Sequence, residues 1–371
     1  MKKLFSLLLT LAILAMGVCA MAEDLSAEEL SELLCGDDSL VEIIEAAREE
    51  GELTVYGCCE EPYIAAATGR FQELTGITTH WQRLSTGEVQ AKIAEENGNP
   101  SADIWFAGTS DPYNETSTTG LLTAYEAVNA KNLRDEMYRD PDGYWYGIYT
   151  GVMGFMVNND ELDRLGLEAP QDWDDLTKEE YKGLIWLSNP NTAGTAKVFI
   201  NTLVQLKGHD AAMEYFVELD KNIAQYTKSG GGPSKNVGIG ECVIGIGFLH
   251  DGVYQILQGY DNIGLIIPES GTGFEVGATA ILEGCKHPNA AKLWIEFALS
   301  PECVELADDT GSYQFLVISN AEQPEAVTAF DINFDNVIDY DFEDAKANTT
   351  QYVNDFFNAL GAAADDRFKT E

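Results

Sequence analysis

The sequence predicts an α/β fold of two lobes, and three observations carry that prediction. Short apolar runs rich in Val, Ile, Tyr and Trp alternate with amphipathic stretches along most of the 371-residue chain. Such alternation is the signature of βαβ units and a mostly parallel sheet. No Gly/Ser- or Pro-rich linker interrupts it, so the lobes are expected to exchange strands. At about 150 residues per domain the length supports roughly two cores.

The first 22 residues read as an export signal. Lys2 and Lys3 form a basic start, Leu4 to Val18 is an apolar run too short to span comfortably, and Ala20-Met21-Ala22 is an A-x-A cleavage site. A retained membrane anchor is the competing reading. Cys19 suggests a lipoprotein, but Gly17-Val18 before it departs from the small residue that a lipobox places directly ahead of its cysteine. The mature chain is expected outside the cytoplasmic membrane.

Ser26-Ala27-Glu28-Glu29 is a capping box opening a helix, and a second helix is expected near Leu40–Arg48. Leu53–Tyr56 reads as a buried strand, Ile64–Leu74 as a helix closed by Gly76, and Thr78–Gln82 as a strand. Arg83-Leu84-Ser85-Thr86-Gly87 is a loop before a helix over 88–96, and Ile104–Phe106 is another strand. Trp145–Asn158 is a long, Gly-interrupted apolar stretch, and Pro170–Trp173 begins a loop and short helix. Leu184–Leu187 is a strand whose following turn, Asn189–Thr195, opens a helix to Leu206. Helices are expected at Ala211–Leu219, Ala290–Leu299, Pro301–Ala307 and Gln351–Leu360, and strands at Val243–Leu249 and Ile263–Ile267. Ser229–Pro233 is a flexible break.

Composition excludes several functions. The formal charge is −40, which argues against nucleic acid, because phosphate backbones need clustered Lys/Arg, and against anionic lipid. Hydrophobic residues at 45% mark a globular chain rather than a disordered acidic one. Beyond Cys19 the cysteines are Cys35, Cys58, Cys59, Cys242, Cys285 and Cys303, with no C-x-x-C and no Cys/His zinc spacing. A vicinal Cys58–Cys59 disulfide would be strained, so two thiols are expected there; pairing of the rest stays open.

Three Ser/Thr/Gly turns follow strands and precede helices: Ser85-Thr86-Gly87, Thr192-Ala193-Gly194-Thr195 and Ser229-Gly230. One alone is an N-cap; three in an α/β chain point to an anion cleft beyond the carboxyl ends of strands. His250-Asp251 directly follows a strand, and Glu275 lies in Gly271-Thr272-Gly273-Phe274-Glu275-Val276-Gly277. Such carboxylates accept hydrogen bonds from ligand hydroxyls or amines, or are simply solvated. Asp309-Thr310-Gly311-Ser312 matches an aspartic-protease string, but only one copy exists, after a helix, so a helix-ending turn is expected. Asp331–Asp335 lacks the Gly and Glu of a calcium loop and suits an extended segment. G-x-S-x-G, H-E-x-x-H and P-loop motifs are absent.

Taken together, the strings resemble the solute-binding proteins of bacterial ABC transporters, in the iron(III)-transporter-like group. The matches are Gly51–Tyr56, Phe71–Ile77, Ser85–Glu88, Gly98–Phe106, Gly120–Leu122, Pro170–Leu176, Lys182-Gly183, Asn189–Ala196, Val237–Glu241 and His287–Lys292. The resemblance implies a type II periplasmic-binding-protein fold, two α/β lobes closing over a solute in the cleft between them. The implied lobes are 23–150 plus 271–320 and 151–270 plus 321–371, crossing near Ile148–Phe155 and Ile267–Glu275. Iron-binding members carry adjacent tyrosines where this chain has Phe248-Leu249-His250-Asp251. Ferric iron prefers anionic oxygens, so the resemblance turns instead to the branch that binds phosphorylated sugars. It then implies phosphate at Ser85, Thr86, Thr192, Thr195, Ser229 and Gly230. Sugar hydroxyls fall to His250, Asp251 and Glu275, and Cys59 and Glu60 line the same cleft. The expected partners are a small anionic solute and ABC permease subunits, with no cofactor, no metal and a monomeric state. Ferric iron, a phosphonate, thiamine or a polyamine are alternative solutes. A secreted hydrolase using Asp251 and Glu275, or a sensory protein read by a receptor, are alternatives of another class.

Overall fold

Strands form where β-branched and aromatic residues run uninterrupted, and the computed structural model places eleven of them among the residues it describes, 25–330, 332–361 and 367–368. The signal-segment reading of residues 1–22, and Asp331, lie outside those residues. In chain order the strands are β1 (Glu52–Gly57), β2 (Thr78–Arg83), β3 (Ile104–Thr109), β4 (Leu122–Thr123), β5 (Tyr146–Asn158) and β6 (Ile185–Ser188). They continue with β7 (Ile223–Thr227), β8 (Ile244–Phe248), β9 (Ile263–Ile266), β10 (Phe274–Leu282) and β11 (Phe315–Leu316).

The sheet runs β2-β1-β3-β10-β5-β8-β6-β7, with β4 on β10 and both β9 and β11 on β5. Its two ends are parallel: β1 with β2 and β3, β6 with β7 and β8. Its middle is antiparallel, because β10 runs against β3 and β5, and β5 against β8 and β9. The expectation of a mostly parallel sheet is therefore corrected. Strand–helix–strand crossovers keep each end parallel, whereas the central strands carry the chain from one end to the other and back.

β5 is the connection that makes this possible. All thirteen of its residues are buried. Tyr146 to Val152 pair with β10, and Met153 to Asn158 pair with β8 and β9. Its register sets Gly151 opposite Glu275 and Met153 opposite Phe248. The Gly-interrupted apolar run in the sequence is thus one fully buried strand, with glycine where neighbours crowd: a Cβ on Gly151 would stand 2.5 Å from His250 Nδ1.

Apolar side chains gather into separate clusters on either side. One centres on Phe71, Phe106, Trp294 and Phe297, another on Phe155, Trp173, Phe199 and Phe216. The tail, expected wholly in the second lobe, contributes to both sides. Ala321 packs with the first cluster, Tyr340 and Ala345 pack with Tyr56 and Val276, and Val353 and Phe356 pack with the Phe155 cluster.

Helix boundaries follow their caps. Ser26 caps Ala27–Cys35 with Glu29 as its reciprocal partner. Gly76, at φ 77°, closes Glu61–Thr75. The last long helix begins at Phe342, well before the expected 351, because the Asp341 carboxylate accepts from the Asp344 N–H and caps it there. Pro301–Ala307 is two short helices, Pro301–Val304 and Leu306–Asp309. Of the segment expected to be extended, Ile332 and Asn333 carry no regular element and the chain bends at Phe334 and turns at Asp335 and Asn336, after which Val337 bridges to Thr272.

Candidate functional site

A cavity lies where the two ends of the sheet meet. Four helices begin at its wall: Thr86–Glu96, Ser110–Ser117, Gly194–Lys207 and Leu249–Leu257. Their N-cap residues, Ser85, Thr109, Ala193 and Phe248, all line it. Helix starts carry unpaired N–H groups and a partial positive charge. Four converging on one space make a wall for an anion.

Small residues let those starts come together. A Cβ on Gly194 would stand 2.2 Å from Thr109 Oγ1, and one on Gly230 would stand 2.2 Å from Thr195 Oγ1. Gly108, at φ 80°, sits against Thr86 Oγ1, where a Cβ would come within 2.4 Å. The Thr109 hydroxyl is buried with no hydrogen-bond partner. Arg83, the last residue of β2, adds a full charge. Its Nε donates to the Cys59 carbonyl at 3.2 Å, and a second nitrogen reaches Ser85 Oγ at 3.5 Å.

The same cavity also has an acidic lining. Glu275 is 5% exposed and His250 is 7% exposed. His250 Nε2 stands 3.8 Å from Asp251 Oδ1 and 3.7 Å from Glu275 Oε1, while its ring stacks on Phe248 at 5.7 Å. Burial drives the His250 pKa down to about 3, so the imidazole is neutral and its Nδ1 is left without a partner. Burial, reinforced by the charge of Glu60, pushes Asp251 up to about 7. Burial, with Asp251 beside it, holds Glu275 well above the ordinary carboxylate range. Acids in this state gain from a donor arriving in the cavity, whether a hydroxyl or an ammonium.

Of the residues singled out in the sequence, Cys59, Glu60, Ser85, Thr86, Thr195, Gly230, His250, Asp251 and Glu275 line this one cavity. Thr192 and Ser229 are not among the lining residues. The Thr192 hydroxyl donates to the Lys228 carbonyl at 2.7 Å, and its carbonyl accepts from the Gly87 N–H at 3.0 Å. The Ser229 carbonyl accepts from Thr227 Oγ1 at 2.8 Å and its own hydroxyl is buried without a hydrogen-bond partner, while Gly230 and Gly231 line the space.

Sequence reasoning missed Arg83, Thr109, Tyr149 and Gln314 as lining residues. Arg83 had a signal, since it closes β2 just before the Ser85-Thr86-Gly87 turn. Thr109 had the same signal at the end of β3. Tyr149, whose hydroxyl accepts from the Gly108 N–H at 3.1 Å, and Gln314 arrive from central strands or loops whose placement no local pattern reveals.

Two lobes that share central strands and close on a cavity walled by helix starts define a periplasmic-type binding protein. The model for bacterial extracellular solute-binding proteins matches residues 99–342, and the chain belongs to that family, in its iron(III)-transporter-like group. An uncharacterised protein of Haemophilus influenzae is 39% identical over 80% of this chain and 87% of its own length. The periplasmic binding protein AfuA from Actinobacillus pleuropneumoniae, solved with exogenous fructose-6-phosphate bound, is 36% identical. That match covers 84% of this chain and 98% of that one, at a TM-score of 0.79. A ferric binding protein from Campylobacter jejuni shares the fold at 20% identity and a TM-score of 0.71, covering 83% of this chain and 99% of its own.

Proposed function

We propose that this chain is an exported, non-enzymatic binding protein that captures a sugar phosphate and hands it to an ABC permease. The carrying observation is that one cavity gathers two kinds of partner. Helix starts and Arg83 line it together with Glu275, His250 and Asp251, the last two in the first turn of Leu249–Leu257. A phosphate satisfies the N–H and guanidinium donors. Sugar hydroxyls satisfy the acidic lining, donating to carboxyl oxygens and to the unpartnered imidazole nitrogen. The fructose-6-phosphate held by AfuA supports the same solute class here. Binding stabilises the shut form by hinge closure of the lobes.

Membership of a binding family supports a transport role over a hydrolase built on Asp251 and Glu275. The strong negative charge supports a partner other than nucleic acid, and a monomer is the proposed state. A second reading has its own support: the acidic wall also suits an ammonium, so a small aminoalkyl phosphonate fits both ends.

A thermal-shift screen of the exported chain tests this. The panel holds hexose phosphates, free hexoses, inorganic phosphate, 2-aminoethylphosphonate, thiamine, a polyamine and ferric citrate. A ligand at 100 times its dissociation constant adds about 2.7 kcal/mol to stability. A shift with hexose phosphates, lost in Glu275→Ala, is expected. A shift confined to ferric iron, thiamine or the polyamine overturns the sugar-phosphate reading, and one confined to the phosphonate selects the second reading.

A further inference from the structure

A second chamber of about 160 Å³ opens from the acidic end of the cleft. It shares Glu60, His250, Asp251 and Gln314 with the main cavity. None of the hydroxyls at the helix starts (Ser85, Thr86, Thr109) borders it. A solute whose phosphate sits at those starts therefore points its far end into this chamber.

The chamber's outer wall explains the string Asp309-Thr310-Gly311-Ser312. Leu306–Asp309 ends as a helix, and Gly311 turns the chain at φ 78°. A Cβ on Gly311 would stand 2.4 Å from the Tyr254 ring. Glycine is therefore what lets that ring lie against the turn and form one face of the chamber. Gln314, 7% exposed, has a buried carbonyl oxygen with no hydrogen-bond partner, and it borders both spaces. Leaving such a buried group unpaired is costly, so the site is complete only with a donor from a ligand or water. The one cation present, Lys235, is already paired with Glu60 at 2.9 Å.

Beside the Glu60–Lys235 pair and Asp251, the lining is an aromatic face, neutral amides and hydroxyls, which suits an uncharged polyhydroxylated ring and not a second anion. A volume of 160 Å³ far exceeds what a single water needs. We propose that the solute is a disaccharide phosphate, with its phosphorylated ring in the cleft and its second, neutral ring in this chamber against Tyr254. This rests on the sugar-phosphate reading. With phosphate at the helix starts, the link to the second ring leaves from the opposite, anomeric end of a 6-phosphorylated sugar.

Calorimetric titration of the exported chain with trehalose 6-phosphate and with glucose 6-phosphate tests it. Trehalose 6-phosphate is expected to bind at least tenfold tighter. Tyr254→Ala is expected to erase that margin while leaving glucose 6-phosphate affinity unchanged. Equal affinities, or tighter binding of glucose 6-phosphate, overturn the chamber's role and leave the cleft reading standing. Binding of neither sugar phosphate overturns the cleft reading itself, and the chamber proposal with it. Should Tyr254→Ala fail to fold, Tyr254→Leu removes the ring while keeping apolar contact, and the wild-type comparison decides independently.

Discussion

The backbone N–H of Gly87 donates to the carbonyl of Thr192 at 3.0 Å, joining the start of one cleft helix to the turn before another. The contact spans the cleft, since Gly87 follows β2 and Thr192 follows β6 at the opposite end of the sheet. It has room only for glycine: a Cβ there would stand 2.9 Å from the carbonyl oxygens of both Asn191 and Thr192. Two backbone oxygens cannot swing aside as a side chain would.

Gly87→Ala should therefore obstruct closure. Overpacking of this kind costs about 1–3 kcal/mol, which is roughly tenfold or more in solute affinity. Titration calorimetry reads the affinity. A melt on ligand-free protein should move little if the lobes part to relieve the clash.

Arg83 is the only Lys or Arg among the lining residues of the main cavity. Hydrogen bonds to charged groups contribute about 1.5–3 kcal/mol, so Arg83→Ala should weaken a phosphorylated solute by ~100-fold. Arg83→Lys should recover part of that, because the charge returns without the fork. An equal loss for a neutral sugar would show that Arg83 shapes the pocket instead of holding the anion.

Asp251 sets a pH dependence whose sign is fixed by its raised pKa. A carboxyl held near 7 in the folded protein and near 3.9 unfolded binds its proton more tightly when folded. Its contribution is full below about pH 4 and is lost as the pH rises toward 7. His250, depressed to about 3, acts oppositely: its contribution is full above about 6.5 and is lost as the pH falls. Asp251→Asn isolates the first effect. Relative to wild type, the variant should gain on the order of 2 kcal/mol between pH 5 and pH 8, measured by denaturant melts of ligand-free protein. A difference independent of pH would show that the carboxyl titrates normally.

Lys228 pairs with Glu88 across the cleft at 2.7 Å, but the two side chains are 54% and 25% exposed. Pairs this wet contribute about 0.2–1 kcal/mol. Lys228→Ala should change solute affinity less than ~fivefold, and raising the salt concentration should narrow even that. A larger loss in a surface-binding titration would make the pair a true latch.

Much of the fold was legible because its signals are local. The capping box at Ser26, the Gly76 stop and the alternation of apolar runs each arise from residues a few positions apart, and the structure places elements there. The helix from Phe342 starts ahead of the expected 351 because its first turns are polar and show no apolar periodicity, while the Asp341 carboxylate caps it. For the cavity, strand–turn–helix junctions led to Ser85, Thr86 and Thr195, and strand-end carboxylates led to Asp251 and Glu275. Thr192 and Ser229 fall outside the lining, since a turn's sequence identifies a hydroxyl but not the direction in which it points.

The sequence by itself determined the α/β character, the family and most residues of the acidic and anion-facing walls, since each depends on short-range pattern and residue chemistry. Tertiary structure alone decided that β5 and β10 run antiparallel through the middle of the sheet, and that Gly151 faces Glu275 there. It alone joined Arg83, Thr109, Tyr149 and Gln314 to the cavity and set the chamber beside Tyr254. The reason is register. Which residues meet across a sheet is set by the summed packing of both lobes, and a shift of one residue in β5 would turn every one of its side chains to the other face.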